Sequence, residues 1–187
     1  MDLLLSLSRA IDALNDRVGR TVGWLVLVTT LISAGNAVSR YGFNLSSNAW
    51  LEVQWYLFSA IFLLGGGYAL LSNSHVRIDL VANRLRRRTN AWIDLVGIVV
   101  FLIPTCLVFL KFGWDMFYDS YARGEMSADS GGLIRWPVKV LVPIGFLLLL
   151  LQSVSELVKR IAYLRGRVRW EGLGHAPDEA PPDARVE

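Results

Sequence analysis

Four long stretches of the chain contain no Asp, Glu, Lys or Arg. They run over residues 21–39, 53–76, 95–110 and 140–155. At a rise of about 1.5 Å per residue, the first would reach roughly 28 Å as a helix, close to the thickness of the hydrocarbon core of a bilayer. The two shortest stretches become long enough to span the bilayer if the apolar stems of Lys111, Lys139 and Glu156 lie in the hydrocarbon while their charged ends reach the headgroups. The pattern predicts four transmembrane helices, at about 21–40, 49–72, 92–114 and 137–158.

Composition supports the same fold class. The 187 residues are 53% hydrophobic, with a mean hydropathy of +0.42, values that are typical of membrane proteins. We therefore predict an all-α integral membrane bundle. The only cysteine, Cys106, excludes a disulfide within the chain and a four-thiolate metal site. No His lies in a predicted span, so axial haem ligation inside the membrane is not expected, and we predict no cofactor and no nucleic-acid partner.

Residues 1–20 show a different pattern, with apolar and charged positions on opposite sides of a helix. The apolar positions are Leu3, Leu7, Ile11, Leu14 and Val18, and the charged ones are Asp2, Arg9, Asp12 and Asp16. This spacing predicts an amphipathic helix that lies in the headgroup region before the first span. A frayed, solvated terminus is the alternative. Because acids interrupt the leucines, a cleavable signal peptide is not expected.

The basic residues predict the orientation. If the amino terminus is cytoplasmic, most of the 19 Lys and Arg residues fall on the inner side, and only Arg40, Lys111, Arg123, Arg135 and Lys139 fall outside. Basic flanking residues stay on the cytoplasmic side, so both termini are predicted to be cytoplasmic, with the inner basic segments on anionic lipids. Residues 161–187 are basic at first and then rich in Pro and acids, which predicts a disordered cytoplasmic tail.

His75, Arg77 and Asp79 form the pattern HVRID directly after the second apolar stretch. A metal site or an active site would need more ligands or a nucleophile, and neither is visible nearby. The apolar residues between and after these charges instead predict a short cytoplasmic helix between spans 2 and 3, which anchors on lipid or docks on a partner.

The four spans contain no ionisable side chain near their middle. Proteins that carry ions or polar solutes usually place such groups there, facing a cavity. Gly65, Gly66 and Gly67 could mark a broken helix at a substrate site, but Gly65 with Ala69 also fits a close helix contact, which we favour. A self-contained oligomeric transporter or channel remains an alternative, as does a small membrane enzyme that uses Ser127, Asp129 and Ser130 near Glu125.

Glu52 is the one carboxylate in the first turn of the second span, after a possible cap at Asn48. It could lie in the outer headgroups, where the helix dipole favours its charge. It could also be partly buried and paired with a base of another subunit or with Arg40. Glu125 and Arg135 of the outer loop are either solvated or part of a docking surface.

Two stretches carry a resemblance to a known family. The run NAWLEVQWYLFSAIFLLGGGYALLSNSHVRIDL resembles the motif of the small, DctQ-like membrane subunit of tripartite ATP-independent periplasmic (TRAP) transporters. The run GEMSADSGGLIRWPVKVLVPIGFLLLLLQ resembles a later motif of the same family. The GGL and EVQWYLF elements are most similar to the mannitol/chloroaromatic-type branch. The matching positions are Trp50, Glu52, Gly65, Gly66, Gly67, His75, Arg77, Asp79, Glu125, Ser127, Gly131, Gly132, Pro137, Pro143, Gly145, Phe146 and Gln152. Arg135 is a candidate partner contact beside the second motif.

The resemblance implies a non-catalytic subunit of the bacterial inner membrane. Its partners would be a large multi-span permease subunit, which moves substrate and sodium by an elevator motion, and a periplasmic substrate-binding protein. The small subunit would be part of the static scaffold. The outer end, with Trp50, Glu52 and residues 125–135, would help to dock the binding protein during uptake of a small organic acid-type solute.

Overall fold

A computed structural model describes residues 2–45, 47–72 and 87–167 of the chain. These residues form four long helices, each apolar and long enough to cross a membrane. The helices are α1 (Asp2–Phe43), α2 (Asn48–Leu71), α3 (Arg87–Ala122) and α4 (Trp136–Leu164). The prediction of an all-α protein with four potential transmembrane helices is confirmed. Each helix extends the predicted span at one or both ends, most of all α1.

The first helix runs without a break from Asp2 to Phe43. Residues 1–20 were predicted as a separate helix before the first span, but in the structure the described part of this segment is simply the first half of α1. Its leucines are exposed, with Leu3 at 82% and Leu7 at 55%. Ser8 and Asn15 point away from these leucines and are buried, with exposed fractions of only 2% and 0%. This half therefore packs its polar side on the protein, while its position in the headgroup region stays a prediction.

Proline alters the helical geometry of both α3 and α4. In α3, a π-helical turn (Ile98–Leu102) separates the α-helical segments Arg87–Gly97 and Ile103–Ala122. It ends two residues before Pro104, whose ring and missing N–H disturb the preceding turn. In α4, the short segment Trp136–Lys139 is followed by Leu141–Leu164, and Pro143 lies one turn after the junction. Each irregular turn therefore lies within about one turn of a proline.

The helix α4 is the centre of the bundle, because it packs against each of the other three. Glycines allow its closest contacts. A Cβ on Gly145 would lie 2.6 Å from the backbone oxygen of Leu63 in α2, and a Cβ on Gly113 of α3 would lie 2.9 Å from Val142. The backbones of these helices approach each other more closely there than any larger residue would permit.

Only one of the three consecutive glycines of α2 makes such a contact. A Cβ on Gly67 would lie 2.1 Å from Oδ1 of Asn15, whereas one on Gly66 would meet nothing within 4 Å. For Gly65 the nearest atom, a methyl group of Val22, is 4.0 Å away. Among the three glycines the close contact therefore lies at Gly67 and not at Gly65, the position that the sequence favoured.

Two predicted elements lie wholly or largely outside the described residues. These are the HVRID pattern with its short cytoplasmic helix, and the tail beyond residue 167. The start of the predicted tail is helical, since residues 161–164 belong to α4 and Ala162 is fully buried.

Candidate functional site

Residues 123–135 connect α3 to α4 and are held by their own backbone bonds. We call this segment the outer loop, after the orientation that the basic residues predict. The Ser127 amide donates to the Leu133 carbonyl at 2.9 Å, and the Arg135 amide donates to the Glu125 carbonyl at 2.9 Å. Between these bonds the chain reverses, with the Gly132 amide donating to the Asp129 carbonyl at 3.0 Å. The reversal uses Gly131 at φ +73°, a conformation that glycine adopts without a steric penalty. The loop is therefore a compact hairpin-like segment.

Glu52 of α2 lies beneath this loop, with a relative exposure of only 3%. One carboxylate oxygen accepts the hydroxyl hydrogen of Ser127, and the other accepts the backbone amide of Leu133 at 2.5 Å. The Arg135 guanidinium lies 3.8 Å from the carboxylate. We call this group, Glu52 with Ser127, the Leu133 amide and Arg135, the Glu52 latch. Its central bond joins residues 75 positions apart in the chain.

Arg135 closes the latch from the side. Its guanidinium donates to the Ser127 hydroxyl at 3.0 Å and lies over the ring of Trp55, 5.2 Å from the ring centroid. A cation above an indole face is favourable, and it neutralises the buried carboxylate at the same time. Within the chain, the Glu52 carboxylate is buried and its base is Arg135 rather than Arg40, which is exposed.

Gly132 makes room for the latch. A Cβ on this residue would lie 2.4 Å from Cβ of Ser127 and 2.8 Å from the carboxylate of Glu52. Any side chain here would push the loop away from α2. Two further bonds hold the loop on α2: Asn48 donates its amide to the Ser130 carbonyl at 2.9 Å, and Tyr56 donates its hydroxyl to the Ile134 carbonyl at 2.7 Å. Asn48 therefore binds the loop, while the cap position is Ser47.

Glu125, at the start of the loop, forms an ion pair with Lys139 in the first turn of α4. The hydrogen-bonded Lys139 ammonium lowers the pKa of Glu125 below its ordinary value. A carboxylate whose pKa is lower in the folded state contributes stability above its ordinary pKa, and loses it as the pH falls through the lowered pKa. The pair is thus intact at neutral pH and opens only in acid.

The titration of Glu125 tests this pair. We expect the carboxyl carbon of Glu125, followed by NMR in lipid nanodiscs, to titrate with a midpoint below the ordinary value of about 4.3. In Lys139→Gln the midpoint should move upward, because the amide carries no charge. The Glu125→Gln variant assigns the signal. Equal midpoints with and without the Lys139 ammonium would contradict the assignment of the shift to this pair.

The hydrogen bonds of the outer end hold the loop in place, and the hydroxyl hydrogen of Ser127 is donated to the Glu52 carboxylate. Within the described residues no group of three or more His, Cys, Asp or Glu could hold a metal ion. What the arrangement does is to fix a loop on the end of α2 through one carboxylate that accepts from several donors. Trp50, two residues earlier in α2, is 53% exposed.

A second polar cluster, which the sequence did not predict, lies at the opposite end of the bundle. We call it the inner cluster. The hydroxyl groups of Ser8 and Ser155 form a hydrogen bond with an oxygen–oxygen distance of 2.7 Å. The Asn15 amide nitrogen donates to the side-chain oxygen of Gln152 at 2.9 Å. The Gln152 amide in turn donates to Asp12 at 2.9 Å. Both amide side chains are fully buried. These bonds join two turns of α1 to one turn of α4.

Charged residues extend the inner cluster to α3. Lys159 lies 3.1 Å from Asp12 and 2.5 Å from Glu156. Arg160 pairs with Glu156 and, at 3.1 Å, with Asp94 of α3. Glu156 and Arg160 are exposed by only 2% and 3%. The Glu156 carboxylate is enclosed by two bases of its own helix, while its depth relative to the headgroups stays a prediction.

A sequence signal for this cluster existed. Ser8, Asp12 and Asn15 have the spacing of one helix face, as do Gln152, Ser155 and Lys159, and the predicted orientation places both sets at the same end. Of the charged positions in residues 1–20, Asp12 packs on α4, whereas Arg9 is exposed and Asp16 pairs with Arg20 on the surface. Gln152, singled out in the sequence only as a motif position, is the central residue that links Asn15 to Asp12. Pro137 lies in the first turn of α4.

Comparison with known proteins identifies the family. A family model described as "Tripartite ATP-independent periplasmic transporters, DctQ component" matches residues 29–162. Searches of curated proteins and of solved structures found no match. The match covers most of the chain, including the Glu52 latch and the α4 side of the inner cluster. The chain therefore belongs to the DctQ family, the small membrane components of TRAP transporters, and is a multi-pass protein of the inner membrane.

Proposed function

We propose that this subunit is a static membrane scaffold for the large permease subunit, and that its outer loop helps to dock the periplasmic substrate-binding protein. The membership in the family supports a role within a TRAP transporter. The charge-free middle of every span argues against a solute pathway through the chain itself, since polar solutes need polar groups along their route. In this proposal both termini are cytoplasmic, and the transporter imports a small organic acid-type solute with sodium.

The observation that carries the docking half is the fixed outer loop. A loop without internal bonds would have to be ordered on binding, which lowers the affinity. Here the latch and the backbone bonds order the loop in advance, and they leave Arg123, Met126 and Asp129 exposed on its outside. Glu125 and Arg135, which the sequence suggested as docking charges, are engaged within the chain. The exposed residues are therefore the better candidates for contact with the binding protein.

Two matched charge reversals test the docking half. Arg123 pairs with Asp119 on the surface near the outer loop, and Arg20 pairs with Asp16 on the surface of α1. Each pair is spaced four residues apart, and the two arginine side chains are similarly exposed, at 71% and 76%. Arg123→Glu and Arg20→Glu should therefore change the folding stability of the chain by nearly the same amount. They differ in the side of the membrane on which we place them.

We expect Arg123→Glu to raise the concentration of binding protein that gives half-maximal uptake by about threefold to tenfold at low salt, and by less at high salt. Arg20→Glu should leave it unchanged. The measurement is solute uptake into proteoliposomes that contain both membrane subunits, titrated with binding protein on the outside. Equal behaviour of the two variants, with both complexes assembled, would refute docking at this loop.

A further inference from the structure

We infer that Glu52 is a positioning residue: its buried carboxylate sets the conformation of the outer loop and thereby the affinity of the transporter for its binding protein. This inference rests on the proposed docking function and names the residue that controls it. Glu52 itself is 3% exposed, so it cannot contact a docked protein. Any influence it has on docking must pass through the loop above it.

The contacts of Glu52 show why this residue type is needed. Its neighbours in the latch are all donors: the hydroxyl of Ser127, the amide of Leu133 and the guanidinium of Arg135. A carboxylate has two oxygens and no hydrogen, so it accepts from all of them. Glutamine has nearly the same shape, but its NH2 group would face one of these donors. Glu52→Gln should therefore open part of the latch without creating a cavity.

The latch is also the point where the two halves of the loop meet. Ser127 lies before the chain reversal and Leu133 after it, and Glu52 bonds both. Gly132 approaches the same carboxylate so closely that a Cβ would lie 2.8 Å away. Release of Glu52 therefore loosens both arms of the hairpin together. The bonds of Asn48 and Tyr56 still tether the loop loosely to α2.

The experiment uses the complete transporter with Glu52→Gln and, as a control, Asp115→Asn, an exposed carboxylate of α3. Hydrogen exchange in nanodiscs reports on the loop, and uptake titrated with binding protein reports on docking. We expect the Leu133 amide to exchange about tenfold faster or more in Glu52→Gln, while the amides of α4 are unchanged. We also expect the half-saturating concentration of binding protein to rise at least threefold, with an unchanged maximal rate. The control should match the natural protein.

The outcomes separate this inference from the docking proposal. Unchanged exchange at Leu133 would overturn the latch. Faster exchange with unchanged half-saturation, or a fall in the maximal rate alone, would overturn the positioning role, even where Arg123→Glu shows that the loop docks. If Glu52→Gln fails to assemble, Ser127→Ala keeps the carboxylate and the Leu133 bond and tests the same prediction with a smaller expected shift. Ser127→Thr keeps the hydroxyl. A half-saturating concentration of binding protein that returns to the natural value in this variant would support the inference further.

Discussion

Replacing Arg160 with methionine is expected to lower the free energy of unfolding by about 3 kcal/mol, because it leaves a buried carboxylate without its closest partner. Arg160 is 3% exposed and bridges Glu156 on its own helix to Asp94 on α3. Methionine fills much of the same volume, so the loss reflects charge rather than a cavity. Lys159 still lies 2.5 Å from Glu156 and prevents a larger loss.

The measurement is reversible unfolding of the purified subunit by SDS in mixed micelles, followed by circular dichroism. Arg165→Met is the matched control, since Arg165 lies one turn further along and is exposed. Its unfolding free energy should change by less than about 0.5 kcal/mol. The double variant Glu156→Met with Arg160→Met should recover at least half of the loss, because it removes both charges of the pair. Additive losses in the double variant would show that the pair is not coupled.

The inner cluster also shows where prediction from the sequence ends. The charge-free stretches predict all four helices. Polar groups are costly in hydrocarbon, so charged residues are absent from the spans, and this absence can be read directly along the sequence. The pairing of Ser8 with Ser155 joins residues 147 positions apart, and no local rule encodes it. The periodicity of residues 1–20 predicts a helix with an apolar and a charged face. Which positions contact protein depends on the polar side of α4, which lies far away in the sequence.

The outer site shows the same limit at a single residue. The family motif singles out Glu52, Ser127 and Gly132, and the docking hypothesis singles out Arg135. The structure brings these four residues together. The motif did not predict that they contact one another, so Arg40, which is nearer in sequence, was weighed as the partner of Glu52. Only the return of the chain through α3 and the outer loop places Arg135 beside this carboxylate.

The final prediction concerns the contact between α2 and α4. Replacing Gly145 with alanine should destabilise the isolated subunit by about 2 kcal/mol, because the new methyl group would lie 2.6 Å from the Leu63 oxygen and 2.9 Å from its carbonyl carbon. These are backbone atoms of a helix, so no rotamer change relieves the clash. The two helices must separate along this contact, and they lose dispersion contacts that drive helix association in lipid.

Gly66→Ala is the matched control, since it makes the same chemical change on the facing helix. A Cβ on Gly66 meets nothing within 4 Å, so alanine should leave the stability unchanged or raise it slightly through its better helix propensity. Both variants are unfolded in the same SDS titration, and α-helix content before unfolding confirms that each is folded. An equal response of the two glycines would mean that α2 and α4 do not touch at Gly145. The central position of α4, on which the whole arrangement of the bundle depends, would then be wrong.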